Sequence, residues 1–155
     1  MGFEFTNDAT DFFQRIGVKR SGAQVKKSTT GILESMLEAY WLCVQIGIKH
    51  DRYEPAEKST EFVRSLKPLS DQADLIQGLG FYYYCKREDL LNTEKETVLD
   101  EMRGFFSEEH LQLDEAGNSL FNAYANGGFN LLFSRTGDQC RELSDLLCEC
   151  YELLS

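Results

Sequence analysis

The chain has 155 residues, of which 42% are hydrophobic and 27% charged, a balance typical of one globular domain. Its net charge of -10 at pH 7 excludes a protein whose whole surface lies on nucleic acid, because phosphate contact needs a basic face. The longest apolar-rich run, residues 31 to 48, contains Glu34, Glu38 and Gln45, which excludes a membrane span. The first ten residues carry acids where a signal peptide would carry basic residues, so we expect a cytoplasmic location.

The first thirty residues have the weakest helical pattern. Residues 3 to 16 contain four phenylalanines and an isoleucine, enough apolar surface to dock a short helix or an extended arm. Residues 17 to 30 are rich in Gly, Ser and Lys, which favours a loop or a short strand around Val18 and Val25. We expect one domain over residues 1 to 155, in which residues 1 to 30 can form a basic N-terminal arm.

The next segment predicts a long helix followed by a break. From Thr30, apolar residues recur every three or four positions as far as residue 48, and a hydroxyl side chain among residues 28 to 30 can cap the helix. Pro55 interrupts the pattern, since a proline disfavours helical geometry in the residue before it. A short helix is predicted over residues 57 to 66, ahead of Pro68.

Four more helices are predicted in the second half. They are a helix over residues 71 to 88 capped by Ser70, a helix begun by a capping box of Thr93 and Glu96, a helix over residues 107 to 125, and a last helix begun by a capping box of Thr136 and Gln139. The pattern therefore predicts an all-α fold, a compact bundle of about six to seven helices with a small β-hairpin near the N-terminal basic segment.

Two adjacent glycines occur in NAYANGGFNLLF, residues 122 to 133. They do not form a phosphate-binding loop, because they follow a predicted helix and lack the spacing of a P-loop or a dinucleotide loop. Glycine just after a helix end is common, since it adopts the left-handed conformation without strain. We therefore predict a structural turn, with Asn126 or Gly127 ending the helix and Gly128 completing the turn.

Nothing in the sequence predicts catalysis. His50 and His110 lack the spacing of metal ligands, and no nucleophile motif is present. Acids near residue 110 are explained by a charged helix start. The five cysteines form no CxxC pair and are typical of reduced thiols, most of them packed in the core, with Cys148 and Cys150 on different faces of a helix. We expect no catalytic residue, metal, cofactor or small-molecule substrate.

Aromatic residues offer a candidate protein interface. Three consecutive tyrosines on a helix point in different directions, so the run FYYY (81 to 84) favours core and interface packing over base stacking. We expect Trp41, Tyr82 and Tyr84 to contact a partner protein.

Between Asp11 and Glu34 the chain has no acid but five cations, which are Arg15, Lys19, Arg20, Lys26 and Lys27. Such a segment can contact phosphate or an acidic protein groove, or remain a solvated loop.

Three stretches carry a family resemblance: the basic GVKR...KK opening, VQIGIKHDRYEP (44 to 55), and the run from KREDLLNTEKE through FNAYANGGFNLL, in which YANGG is the most distinctive piece. Over residues 18 to 133 the chain resembles small prokaryotic proteins encoded beside DNA phosphorothioation genes, the Dnd system-associated proteins. The resemblance implies a place in a DNA-modification or anti-phage defence locus, and it assigns no catalytic residue.

Two hypotheses of function follow. The favoured one is a non-enzymatic accessory subunit of a multi-protein DNA-defence complex, which docks a larger ATPase or nuclease such as an SMC-like ATPase. The alternative is a direct DNA-binding or DNA-end-sensing module that uses the basic segment 15 to 27. A regulatory enzyme or nuclease is disfavoured, because no metal or nucleophile motif is present.

Overall fold

The computed structural model describes residues 2–18, 33, 35–64, 66–106 and 112–155. Over these residues the elements in chain order are β1 (Phe3–Phe5), α1 (Asn7–Arg15), α2 (Met36–Lys49), β2 (Thr60–Val63), a 3-10 helix (Lys67–Gln72), α3 (Ala73–Arg87), α4 (Lys95–Phe105), α5 (Glu115–Thr136), a second 3-10 helix (Gly137–Gln139) and α6 (Leu143–Leu154). The prediction of an all-α fold with a small strand pair near the N-terminus is confirmed, since the described residues form six α-helices and one two-stranded sheet.

The chain divides into two compact units. The first unit comprises Met1–Phe3 and Arg64–Phe121, and the second comprises Glu4–Val63 and Asn122–Ser155. Helix α5 thus contributes residues to both. The single domain over residues 1 to 155 stays a prediction.

The two strands form one small sheet, in which β1 pairs with β2. The helix predicted over residues 57 to 66 is therefore wrong, because β2 occupies most of that segment. Phe62 explains the difference: its ring stacks on Phe5 at 5.8 Å and packs against Tyr40 at 5.4 Å between centroids. An aromatic residue packs well on the half-buried surface of a sheet, and this tertiary contact outweighs the weak helical spacing.

One hydrogen-bond acceptor, the side-chain oxygen of Asn122, connects three elements of the second unit. Asn122 Oδ1, on α5, accepts a 2.7 Å hydrogen bond from the hydroxyl of Tyr40 and a 2.9 Å bond from the backbone N–H of Glu4. Tyr40 is fully buried, and burial, with a smaller contribution from Glu4, raises the pKa of its hydroxyl well above the ordinary value. A buried hydroxyl needs such a partner, so Asn122 specifies how α2, β1 and α5 meet.

The predicted turn at Asn126, Gly127 and Gly128 is wrong, because all three residues lie inside α5. Both glycines serve close packing instead. A Cβ atom at Gly128 would overlap the carbonyl of Cys43 on α2, and one at Gly127 would overlap the carbonyl of Arg52. The reason for the glycines is thus tertiary, since a neighbouring backbone fills the space of a side chain, and no helix end is needed.

The segment after α2 packs along the same stretch of α5. Asn126 Nδ2 donates a 2.8 Å hydrogen bond to the carbonyl of Glu54, whose own N–H donates to Ala123 at 3.1 Å. The rings of Tyr53 and Tyr124 meet edge to face at 5.4 Å. The YANGG stretch, residues 124 to 128, therefore packs directly against the HDRYEP stretch, residues 50 to 55.

Helix α6 is held against the end of α2. His50 Nε2 donates to the carbonyl of Leu153 at 2.7 Å, and Lys49 Nζ donates to the carbonyl of Leu154 at 2.6 Å. These two side chains satisfy carbonyl groups that the end of a helix leaves without intrahelical partners. His50 therefore has a structural contact that the sequence did not reveal.

The first unit is built around a cluster of aromatic rings on α3 and α4. The ring of Phe105 lies 5.4 Å from that of Phe81 and 5.3 Å from that of Tyr84. Gly80 permits this packing, because a Cβ atom there would lie 2.5 Å from the ring of Phe121 and 3.2 Å from that of Phe105.

Several helix starts differ from their predicted positions. Helix α2 begins at Met36 behind a capping box of Ser35 and Glu38, and α6 begins at Leu143 behind a box of Glu142 and Asp145. The predicted boxes at Thr93 and Thr136 are wrong, since each hydroxyl donates to a preceding carbonyl, at Leu90 and Leu132. Residues 28 to 30 and 107 to 111, which carried other predicted starts, lie outside the described residues.

We expect Gly128→Ala to lower the free energy of unfolding by about 2 to 3 kcal/mol, because the new methyl group forces α2 and α5 apart. The matched control is Gly78→Ala on α3, where a Cβ atom meets nothing within 4 Å. That change should raise the free energy by up to about 1 kcal/mol through helix propensity. Urea denaturation of both variants measures the difference, and equal stability of the two would contradict the close contact.

Candidate functional site

The candidate site is an exposed apolar face of α3, formed by Leu75, Gly78 and Tyr82 and called here the α3 face. The opposite side of the helix buries Ala73, Ile76 and Gly80. Leu75 and Tyr82 are seven residues apart, so their side chains leave the same side of the helix. Leu75 is 72% exposed and Tyr82 is 51% exposed, while a Cβ atom at Gly78 would meet open space. The α3 face is thus an apolar strip about two turns long.

Charged residues stand at both ends of the α3 face. Asp71 and Asp74 are exposed at its start, and Lys86 is exposed at its end. The Lys86 ammonium lies 5.8 Å from the centroid of the Tyr83 ring, which in turn meets the Tyr82 ring edge to face at 5.3 Å. Tyr83 and Lys86 thereby support the orientation of Tyr82. This arrangement of an apolar centre and a charged rim is the general anatomy of a protein interface.

Tyr84 has a different role from Tyr82. The two side chains leave α3 on nearly opposite sides, because two positions of a helix differ by about 200°. The hydroxyl of Tyr84 donates a 2.8 Å hydrogen bond to Glu101 on α4. This bond, together with burial, raises the pKa of Tyr84 from 10.0 to about 12. Tyr84 therefore joins two helices of the first unit.

The predicted interface residues differ in their surroundings. Tyr82 is exposed on the α3 face, Tyr84 packs between α3 and α4, and Trp41 is half-buried on α2 in the second unit. A role of these three residues in contacting a partner stays a prediction. Leu75 is a candidate that the sequence analysis did not predict, although it lies on the side of α3 away from the buried residues Ala73, Ile76 and Gly80. Its spacing of seven from Tyr82, on that side of the helix, was the available signal.

The basic segment is described only in part. Arg15 lies in the last turn of α1, where its guanidinium is 5.5 Å from the centroid of the Phe12 ring. Lys19, Arg20, Lys26 and Lys27 lie outside the described residues, as does His110. Contact of this segment with nucleic acid or an acidic partner stays a prediction.

The cysteines agree with the prediction of core packing. Four of the five are buried, and Cys148 is exposed while Cys150 is not. Burial, assisted by Cys140, raises the pKa of the Cys150 thiol to about 12, and burial raises the pKa of Cys43 well above its ordinary value. A thiol with a raised pKa is a poor nucleophile, because the thiolate is the reactive form.

Two further findings concern the part of the chain that the structure describes. Within it, no group of three or more His, Cys, Asp and Glu side chains is placed to hold a metal ion. No helix in that part is both long and apolar enough to cross a membrane.

Comparison with known proteins identifies no relative: no family model matches the chain, and neither the curated proteins nor the solved structures contain a significant match. Kinship with the Dnd system-associated proteins thus stays a prediction from the sequence.

Tyr84 should ionise near pH 12, and the change Glu101→Gln should move its ionisation toward pH 10 by removing the acceptor carboxylate. Folding raises the pKa of Tyr84, so the Tyr84–Glu101 hydrogen bond contributes its full stabilisation of the folded state below about pH 10. That contribution is lost as pH rises through about 12. Ultraviolet titration of tyrosinate measures the shift, with Tyr84→Phe identifying the group. An unchanged titration in Glu101→Gln would show that the hydrogen bond is not the cause.

The native chain should present one fast-reacting thiol, that of Cys148, because the other four are buried. Titration with a chromogenic disulfide reagent before and after unfolding counts the groups. Cys148→Ser should remove the fast phase and leave the four slow thiols. A second fast thiol in the native chain would contradict the described packing of the cysteines.

Proposed function

We propose that the chain is a non-enzymatic, cytoplasmic accessory subunit of a bacterial DNA-defence complex, in which it docks a larger ATPase or nuclease. The observation that carries the docking step is the α3 face. The defence setting is supported by the resemblance of residues 18 to 133, and above all of YANGG, to the Dnd system-associated proteins.

The α3 face favours a protein partner for energetic reasons. Burial of Leu75 and Tyr82 against a partner removes apolar surface from water, which stabilises a complex by about 25 cal/mol per Å². Tyrosine is also a common anchor residue of interfaces, because its ring is apolar and its hydroxyl remains able to form a hydrogen bond. Gly78 lets a partner side chain approach the helix backbone between these two anchors.

The concentration of exposed apolar groups points to the same unit. Among the described residues, four of the six large exposed hydrophobic side chains belong to the first unit, which are Leu75, Tyr82, Leu91 and Leu99. The acids at the start of the α3 face and the lysine at its end favour a partner with the reverse order of charge. Such complementarity orients an encounter and disfavours wrong partners.

Co-expression of the tagged chain with the products of the adjacent genes tests the proposal. The partner should co-purify with the wild-type chain, and the double variant Leu75→Ala with Tyr82→Ala should weaken its binding at least tenfold, as loss of interface anchors does. Tyr151→Ala is the matched control, because Tyr151 is 77% exposed on α6. In cells that carry the whole locus, the double variant should lose phage restriction while the control retains it.

Three results would contradict the proposal. The first is that the chain purifies alone even when every neighbouring gene product is present. The second is that the double variant binds the partner as well as the control does. Hydrolysis of ATP or cleavage of DNA by the chain alone would overturn the non-enzymatic assignment.

A further inference from the structure

A cavity of about 320 Å³ opens between α1 and α5 in the second unit. Its volume lies at the lower end of the range for small-ligand sites, about 300 to 1,000 Å³, and suits one side chain better than a strand of nucleic acid. The cavity has an aromatic wall and a charged rim, and we call it the α1–α5 pocket.

Three phenylalanines form the aromatic wall. Phe12 on α1 meets Phe129 and Phe133 on α5 edge to face, with ring centroids 5.7 and 5.8 Å away, and the two α5 rings lie 5.7 Å apart. Phe12 and Phe129 are buried, so their positions are set by the core. Phe133 remains 41% exposed and offers ring surface to a bound group.

The rim of the pocket is acidic overall. Asp8 and Asp11 are exposed residues of α1 spaced three apart, so they leave the same side of the helix. Arg15 completes the rim, and the formal charge of these three groups is therefore -1. Asn130 also lines the pocket, but its amide donates a 2.7 Å hydrogen bond to Glu54 and so turns toward another carboxylate.

The aromatic wall already contacts one guanidinium group, that of Arg15. Arg15 holds its guanidinium carbon 5.5 Å from the centroid of the Phe12 ring, within the distance at which a cation is attracted to an aromatic face. The chemistry of the pocket thus suits a cation with a flat, delocalised charge, which stacks on phenylalanine and donates to carboxylates.

We propose that the α1–α5 pocket binds an arginine side chain presented by another protein. The guanidinium stacks on Phe133 and donates to Asp8 and Asp11, and its aliphatic stem covers the rest of the aromatic wall. A phosphate is disfavoured because two carboxylates would repel it. A neutral apolar ligand is disfavoured because it would strip water from those carboxylates without replacing their hydrogen bonds.

The pocket shares no residue with the α3 face. Binding of arginine and binding of a partner through α3 therefore succeed or fail separately. Both can be measured on the full chain.

Titration of the full chain with N-acetyl-arginine methylamide, followed by amide chemical shifts in NMR, tests the proposal. We expect saturable shifts confined to residues around the pocket. The dissociation constant for this single arginine side chain should be about 1 mM. The citrulline analogue has nearly the same shape without the charge, and it should bind at least about fivefold more weakly.

Substitutions in the pocket should act in opposite directions. Asp11→Asn should weaken binding about three- to fivefold by removing a rim charge, and Phe133→Leu should do the same by removing a ring while keeping an apolar side chain. Arg15→Gln should strengthen binding, since it removes the cation that already occupies the wall. Glu57→Gln and Tyr151→Ala are controls at exposed positions of the same unit and should leave binding unchanged.

Equal binding of the citrulline analogue would overturn the proposal. Weaker arginine binding in Arg15→Gln would do so as well, as would saturable binding of inorganic phosphate at the same residues. Thermal unfolding of each variant separates loss of binding from loss of fold.

Discussion

The second unit depends on the direct contact of the α2 and α5 backbones at Gly47 and Gly128. A Cβ atom at Gly128 would lie 2.8 Å from the backbone nitrogen of Gly47, so any side chain would push the helices apart. Their close approach lets Tyr40 reach Asn122, and that asparagine also holds β1 through the N–H of Glu4. Because a helix pair separates as a whole, one added methyl group would disturb contacts distant from the glycines.

Two stretches singled out in the sequence lie against each other beside this contact. The stretches 44 to 55 and 124 to 128 are separated in sequence, yet Tyr53 packs on Tyr124 and Glu54 accepts from Asn126. Each stretch must fit the other's backbone, which is a requirement of packing. The proposed binding surfaces lie elsewhere, on α3 and beside α1, where side chains are exposed and can meet partners.

Local sequence rules predicted the helical content and the burial of most cysteines, because apolar spacing reports directly which side of a helix faces the core. They failed where the local pattern was compatible with more than one structure. Ser35 caps α2 in place of an earlier hydroxyl, and Phe62 joins a strand because Phe5 and Tyr40 receive its ring. For the α3 face, the sequence shows the spacing of Leu75 and Tyr82. Their exposure depends on which side of α3 the rest of the unit packs against, and the sequence does not show that.

The sequence by itself determined an acidic, mainly helical chain, since composition and a period of 3.6 residues depend only on the order of side chains. The tertiary structure alone decided the role of Gly127 and Gly128. A glycine permits both a left-handed turn and a close backbone contact, and its own neighbours in sequence do not distinguish the two. The carbonyls of Cys43 and Arg52, brought from another part of the chain, settle the choice by filling the space where a side chain would stand.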